Sequence, residues 1–489
     1  MMDERPTAKR AMLGLPALLL LCAALQAQHL TVLVTSDMHG WLEPTRDGDA
    51  YVGGAAETLA QWRAKEGLKP GQALVLSCGD DYTGPALSTY FKGEPVTDAM
   101  NALGYAASAL GNHEFDFGVP QLMKLASGSR FRFVACNLTA TTADAPALPT
   151  QPFCVVTVQG IKVGVLGLTL LQLQGITNSS GWAGTDYAQA LRHAAPLARA
   201  AGAQVLVVVG HVPFADLKAA ADQVRGLGIA AFFGGHSHES TLGQADSGAW
   251  VLNPGCFWRE YGRVDLDVEG AQARVLSAAL VPVRGPKADR RDRMALGLPA
   301  WEARLAPLAG PTLGYTATGL PRRWALANLI TDAWLAADPT ADLALCNEHG
   351  IRQDLPAGPV DKLQLLSVLP FEDRLVAVTL SGAALTALLG PAQRSLEARP
   401  GEALVPGGLK AVGADWVLMR NGQPLDPAAS YRVLTTDYLC DHDPALQGRA
   451  QASVAPNWRD PVAAWLLAHP SGEDKPLEGL VDAAARVRE

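Results

Sequence analysis

The chain has 489 residues, 48% of them apolar, which is enough material for two or three domains with separate cores. Its 48 acidic side chains outnumber 40 basic ones, for a net charge of −8. That balance excludes a basic surface groove for a nucleic-acid polymer, while leaving open small anions held by a metal.

Lys9 and Arg10 precede AMLGLPALLLLCAALQAQ, which runs without a charge to Gln28. A basic start, a short apolar run and the small Ala27 predict a secretory signal peptide over residues 1–28, with the mature chain starting near Gln28 or His29. No later uncharged stretch is long enough for a bilayer, so no stable membrane anchor is expected. Cys78, Cys136, Cys154, Cys256, Cys346 and Cys440 form no CxxC pattern. They are read as buried small hydrophobes, with Cys136–Cys154 and Cys346–Cys440 the pairings that secretion would permit.

From His29 the chain repeats one grammar, a short apolar run and then a turn that opens on a polar side chain able to bind metal. The runs are 30–36, 73–78, 106–110, 205–209 and 229–233. Stretches of helical spacing lie between them, among them 53–66 and 185–201, which makes this half a layered α/β domain. The first run delivers Asp37 and His39, the second Asp80 and the third Asn112 in GNHEFD. The fourth delivers His211, and the fifth His236 and His238. Ligands of α/β sheets bind beyond the carboxyl ends of the strands, so all five tips are expected at one crevice. Two Asp, one Asn and four His exceed what a single tetrahedral ion takes and suit two ions bridged by one carboxylate, for which Asp80 is the natural candidate. His113 is left to face a substrate, with Asp116 placed to accept a hydrogen bond from its second ring nitrogen.

DMHG, GDDYTG, GNHEFD, GH and GHSH in this order closely resemble the calcineurin-like metallophosphoesterases, and the wider chain resembles the secreted 5′-nucleotidases and UDP-sugar hydrolases. The resemblance implies a β-sandwich catalytic domain flanked by helices, followed by a mixed α+β domain. It assigns Asp37, His39 and His238 to one ion and Asn112, His211 and His236 to the other, with Asp80 shared and His113–Asp116 catalytic. Mixed Asp, Asn and His donors admit Zn, Mn, Fe or Co. Two such ions would make a hydroxide nucleophile near neutral pH and neutralise phosphoryl oxygens for an in-line displacement.

The expected boundaries are a catalytic domain over 29–285, a charged and proline-bearing linker over 286–311, and a substrate-recognition domain over 312–489. In the last, residues 326, 329, 330 and 334 share one helix face, DLALCNEHGIR reads as a strand and loop, and LLSVLPFEDRLVAVTLSGAALTALLG reads as loop, strand and helix. Asn421–Gly422 mark a hairpin turn before the strand YRVLTTDYL. By the resemblance Asn347 contacts a substrate base, Arg352 a phosphate, and Phe371 stacks on the base. The chain departs from the family at DYLCDHDPALQG, which replaces a GGDG segment and puts Leu446 where a second aromatic would stand. Glu348 and His349 likewise replace small residues. The reading is a secreted, periplasmic two-metal phosphoesterase acting on 5′-nucleotides or related small phosphate esters. Hydrolysis of a cyclic nucleotide, sugar phosphate, nucleotide sugar or sulfur-linked group is the alternative, and a non-catalytic solute-binding protein the reading from another class. Oligomeric state is left open.

Overall fold

A computed structural model describes residues 28–67, 71–173, 177, 181–390, 404–449 and 451–487. The expected signal peptide lies outside the described residues, apart from Gln28.

Two facing sheets build the first half. One has seven strands in the spatial order Gln272–Pro282, Glu260–Glu269, Gln28–Thr35, Ala73–Ser77, Tyr105–Ala109, Arg132–Val134 and Thr150–Gln151. The other has six, in the order Ser240–Gln244, Trp250–Pro254, Ile229–Phe233, Val205–Gly210, Ile161–Leu168 and Phe153–Val158. Alternation along each strand sorts side chains between layers. Leu30, Val32 and Val34 point inward to meet Val205, Val207 and Val209, while Leu33 turns outward to a helical layer with Trp62, Val96 and Met100. Leu206 and Val208 turn outward from the second sheet, toward Leu191 and Leu217 on its covering helices. The result is a sandwich of helices, two sheets and helices. The five ligand-bearing strands therefore divide three and two between facing sheets, where the sequence pattern alone suggested a single crevice edge.

The segment read as a linker is docked. Its helices Arg290–Ala295 and Leu298–Leu305 bury Leu296, Leu298 and Trp301 in the first domain's core. Trp301 Nε1 donates to Asp98 at 3.0 Å, and Arg293 pairs with Glu43 at 2.7 Å.

The second half is a five-stranded sheet in the order Leu404–Gly407, Leu343–Asn347, Ser430–Thr436, Leu375–Ser381 and Ala452–Ala455, with a core on each face. Helix Gly382–Leu389 begins where the sequence placed it, its N-cap Ser381 accepting from the Ala384 amide. Two stretches correct the sequence reading. Residues Lys362–Val368 form a helix rather than a loop, started by a capping box between Asp361 and Gln364. The end of YRVLTTDYL leaves the sheet as helix Asp437–His442, capped by Thr436. All six cysteines among the described residues are free, so neither pairing forms. The halves meet where Ala86 N donates to Ser367 Oγ at 2.8 Å, setting helix Ala86–Tyr90 against Lys362–Val368.

Candidate metal centre and substrate crevice

The strand Gln28–Thr35 ends in a loop whose backbone stays paired with the neighbouring loop. Asp37 N donates to Gly79 O at 3.0 Å, His39 N to Asp80 O at 2.9 Å and Gly40 N to Asp81 O at 2.8 Å. This ladder puts Asp37, His39 and Asp80 on one floor. Asp37 (φ 47°), His39 (44°), Asp80 (55°), His236 (72°) and His238 (56°) all take left-handed backbone. For residues with a Cβ this costs about 1–2 kcal/mol each, so the surrounding contacts must over-determine it, as is common at functional sites. The neighbouring glycines chiefly supply room. A Cβ on Gly111 would strike the Asp80 carboxylate, and one on Gly84 the His39 carbonyl.

Six of the seven expected ligands converge. Donor atoms of Asp37, His39 and His238 lie within 4.8 Å of one another, as do those of Asp80, His211 and His236. Asp80 stands between the groups, its Oδ2 3.0 Å from His211 Nε2 and 3.8 Å from His39 Nε2. His39 Nε2 and His238 Nε2 are 3.0 Å apart, a spacing that a shared cation explains well. Backbone carbonyls fix the tautomers: His39 Nδ1 donates to Thr83 O at 3.2 Å and His211 Nδ1 to Cys78 O at 3.0 Å, turning each Nε2 inward. Asn112 Oδ1 and His211 Nε2 are buried without a directed hydrogen bond, as expected of atoms awaiting an ion. Burial, reinforced by neighbouring cations, lowers the His236 imidazolium to about 4 and that of His238 to about 3, leaving neutral ligands. Burial raises Asp37 to about 7, and nearby Asp80 adds to the rise, a repulsion that divalent ions would relieve. The donor set fits divalent metal ions.

His113 sits beside this floor on the one-turn helix His113–Phe115. Its Nδ1 donates to Asp116 Oδ2 at 2.7 Å, and its Nε2 is 4.0 Å from Asp80 Oδ2. Burial opposes its protonation, but Asp116 and Asp80 outweigh that and raise its pKa.

The sequence reading overlooked Glu114. Its carboxylate is buried and accepts Asp80 N at 3.0 Å, Asp81 N at 2.8 Å and Gly111 N at 2.6 Å, tying together the two loops that carry Asp80 and Asn112. The signal was present, since a Glu between His113 and Phe115 in a tight polar turn has few reasons to be buried except to satisfy backbone donors.

From the second half, Arg352 Nη2 comes within 3.3 Å of His39 Nε2, and its guanidinium lies 5.8 Å over the Phe371 ring. Phe371 is nearly parallel to His113, at 23° with ring centroids 5.8 Å apart. Asn347 ends its strand with Oδ1 buried and unpartnered. Leu446 is packed in the core with Leu439 and Cys440, away from any stacking role. Tyr438, also overlooked, stacks on His442 at 4.3 Å, and its phenol feels the charges of Asp116 and Arg352.

Comparison with known proteins matches this architecture half by half. The profile described as calcineurin-like phosphoesterase matches residues 30–240, and that of the 5′-nucleotidase C-terminal domain matches residues 314–446. The two matches stand in the order of a 5′-nucleotidase, a metallophosphoesterase domain and then a 5′-nucleotidase C-terminal domain. Rat 5′-nucleotidase is 32% identical over 249 residues, 48% of this chain and 43% of the rat protein, so the chain spans less than half that relative's length in the match. The 5′-nucleotidase precursor of Thermus thermophilus superposes with a TM-score of 0.79 at 24% identity, covering 94% of this chain and 99% of the other. Sulfate thiohydrolase SoxB of the same organism superposes at 0.71 and 19% identity, covering 94% and 95%. These two structures establish the shared fold of the metallophosphoesterase. No described helix of it is long and apolar enough to cross a membrane.

Proposed function

We propose that this chain is a secreted, metal-dependent phosphoesterase that hydrolyses 5′-nucleotides or related small phosphate esters. The observation that carries the reading is the convergence of Arg352 and the His113–Asp116 pair on the buried Asp, Asn and His floor. Asp37, His39 and His238 would hold one divalent ion and Asn112, His211 and His236 a second, with Asp80 common to both. Ions held there supply Lewis acidity toward phosphoryl oxygens and lower the pKa of water to about 7.

The chain's own groups do the rest. Arg352 orients the phosphoryl group through a planar fork that matches its oxygens. His113, kept protonated by Asp116, delivers a proton from Nε2 to the departing alcohol oxygen, and Asp116 then stabilises the tautomer that remains. Asn347 and Phe371 are the proposed contacts to a base. The basic and apolar N-terminal segment supports export, and the resemblance to bacterial relatives supports a periplasmic location.

Burial of Leu446 favours a second reading, an ester other than a nucleotide, because the partner ring of a base sandwich is missing. The test is phosphate release by the exported protein after metal is stripped and restored, with nucleoside monophosphates, nucleotide sugars and p-nitrophenyl phosphate as substrates. Metal-dependent release favouring nucleotides supports the first reading. Release from the generic ester alone supports the second, and no release with metal bound rejects both.

A further inference from the structure

The second half brings cations to the proposed metal floor. Arg352 touches His39, Arg322 acts on both Arg352 and His349, and Arg323 follows Arg322 directly at the start of the irregular turn Arg322–Leu326. Such a wall suits anions, yet it contains a buried carboxylate. Glu348 accepts from Arg323 Nε at 2.7 Å, with Arg323 Nη2 at 3.5 Å from its second oxygen. That guanidinium edge is the one that would grip a phosphate by two parallel bonds. Glu348 follows Asn347 directly and lies four residues before Arg352, so it belongs to the same short turn as both expected substrate contacts.

We propose that Glu348 sets the charge selectivity of the crevice: by occupying Arg323 it cancels one cation of the wall and restricts the site to esters whose only phosphate is the one being cleaved. A diphosphate-linked substrate brings a second anion that needs its own cation. Here it meets a neutralised ion pair with an acidic member, and specificity follows from repulsion as much as from attraction. The proposal rests on the phosphoesterase reading above and names the substrate class within it.

The test compares AMP with a nucleoside diphosphate sugar in the metal-loaded, full-length protein, and measures binding of a non-hydrolysable nucleoside methylenediphosphonate by calorimetry. Glu348→Gln removes the charge while keeping the shape. It should raise the diphosphate-to-monophosphate ratio of kcat/KM about tenfold and tighten the diphosphonate to a similar degree. Adding Arg323→Gln should return both quantities to the parent values, because the gain depends on the freed guanidinium. Arg323→Gln alone leaves Glu348 unpaired and should weaken the diphosphonate further, which keeps the test available if Glu348→Gln does not fold. Efficient cleavage of the diphosphate sugar by the parent protein, or an unchanged ratio and affinity in these variants, overturns the proposal. If the parent protein cleaves no ester, the phosphoesterase reading fails, while the calorimetric comparison still decides the charge selectivity.

Discussion

The Arg352 guanidinium reaches from the second half of the chain to within 3.3 Å of Nε2 on His39. Arg352 is therefore placed over the proposed metal-ligand floor, where its guanidinium can hold a phosphoryl oxygen. Arg352→Ala should lower kcat/KM for a monophosphate by about 10² to 10³, as expected when a charge-assisted contact worth about 2–5 kcal/mol is lost. Arg352→Lys should recover only part of this, because an ammonium lacks the two-pronged edge. Metal content, measured by elemental analysis, should stay unchanged in both.

His113 shares its hydrogen bond with Asp116, and its other ring nitrogen stands 4.0 Å from Asp80 Oδ2. His113→Ala should keep its metal and lose about 10² to 10⁴ in kcat. The loss should shrink for p-nitrophenyl phosphate, whose leaving oxygen needs little protonation. Equal loss of bound metal would overturn this role.

Glu114 joins the Asp80 and Asn112 loops through three backbone N–H groups. Glu114→Gln turns an amide NH₂ toward these donors and should destabilise the protein by about 1–3 kcal/mol. Its melting curve should also respond less to added divalent metal than the parent's, for which metal at 100 Kd adds about 2.7 kcal/mol. An unchanged metal response would assign Glu114 a purely structural part.

Burial, with Asp437 and Asp116 nearby, raises the Asp373 carboxyl from 3.8 to about 7. A carboxyl whose folded pKa is raised favours the folded state fully below pH 3.8, and that contribution is lost as pH rises to about 7. Asp373→Asn should therefore match the parent near pH 4 and exceed it at pH 8, by up to about 4 kcal/mol. Denaturant unfolding at the two pH values measures the difference, and parallel pH profiles would refute it.

Much of the site was legible in the sequence because its determinants are local. An apolar run, a turn and a proposed ligand recur at Asp37, Asp80, Asn112, His211 and His236, and each of these residues lies just past the end of a strand. Asp116 follows His113 by three residues, so a one-turn helix suffices to join them. The helix Lys362–Val368 was also announced, by Asp361 and Gln364 at capping-box spacing, but the apolar LLSV obscured it.

By itself, then, the sequence indicated the proposed donor set, the His113–Asp116 pair and the two-part α/β and α+β plan, because strand alternation, turn chemistry and metal-donor identity act over a few residues. Only the tertiary structure decided that the strands divide between two sheets, that Asp37, His39, Asp80, His236 and His238 adopt left-handed backbone, and that Glu114 joins two loops. It also decided that Arg352 lies against His39 and that Glu348 occupies Arg323. Those outcomes depend on contacts between segments distant in the chain, whose packing outweighs local backbone preference and leaves no periodic trace in the residues themselves.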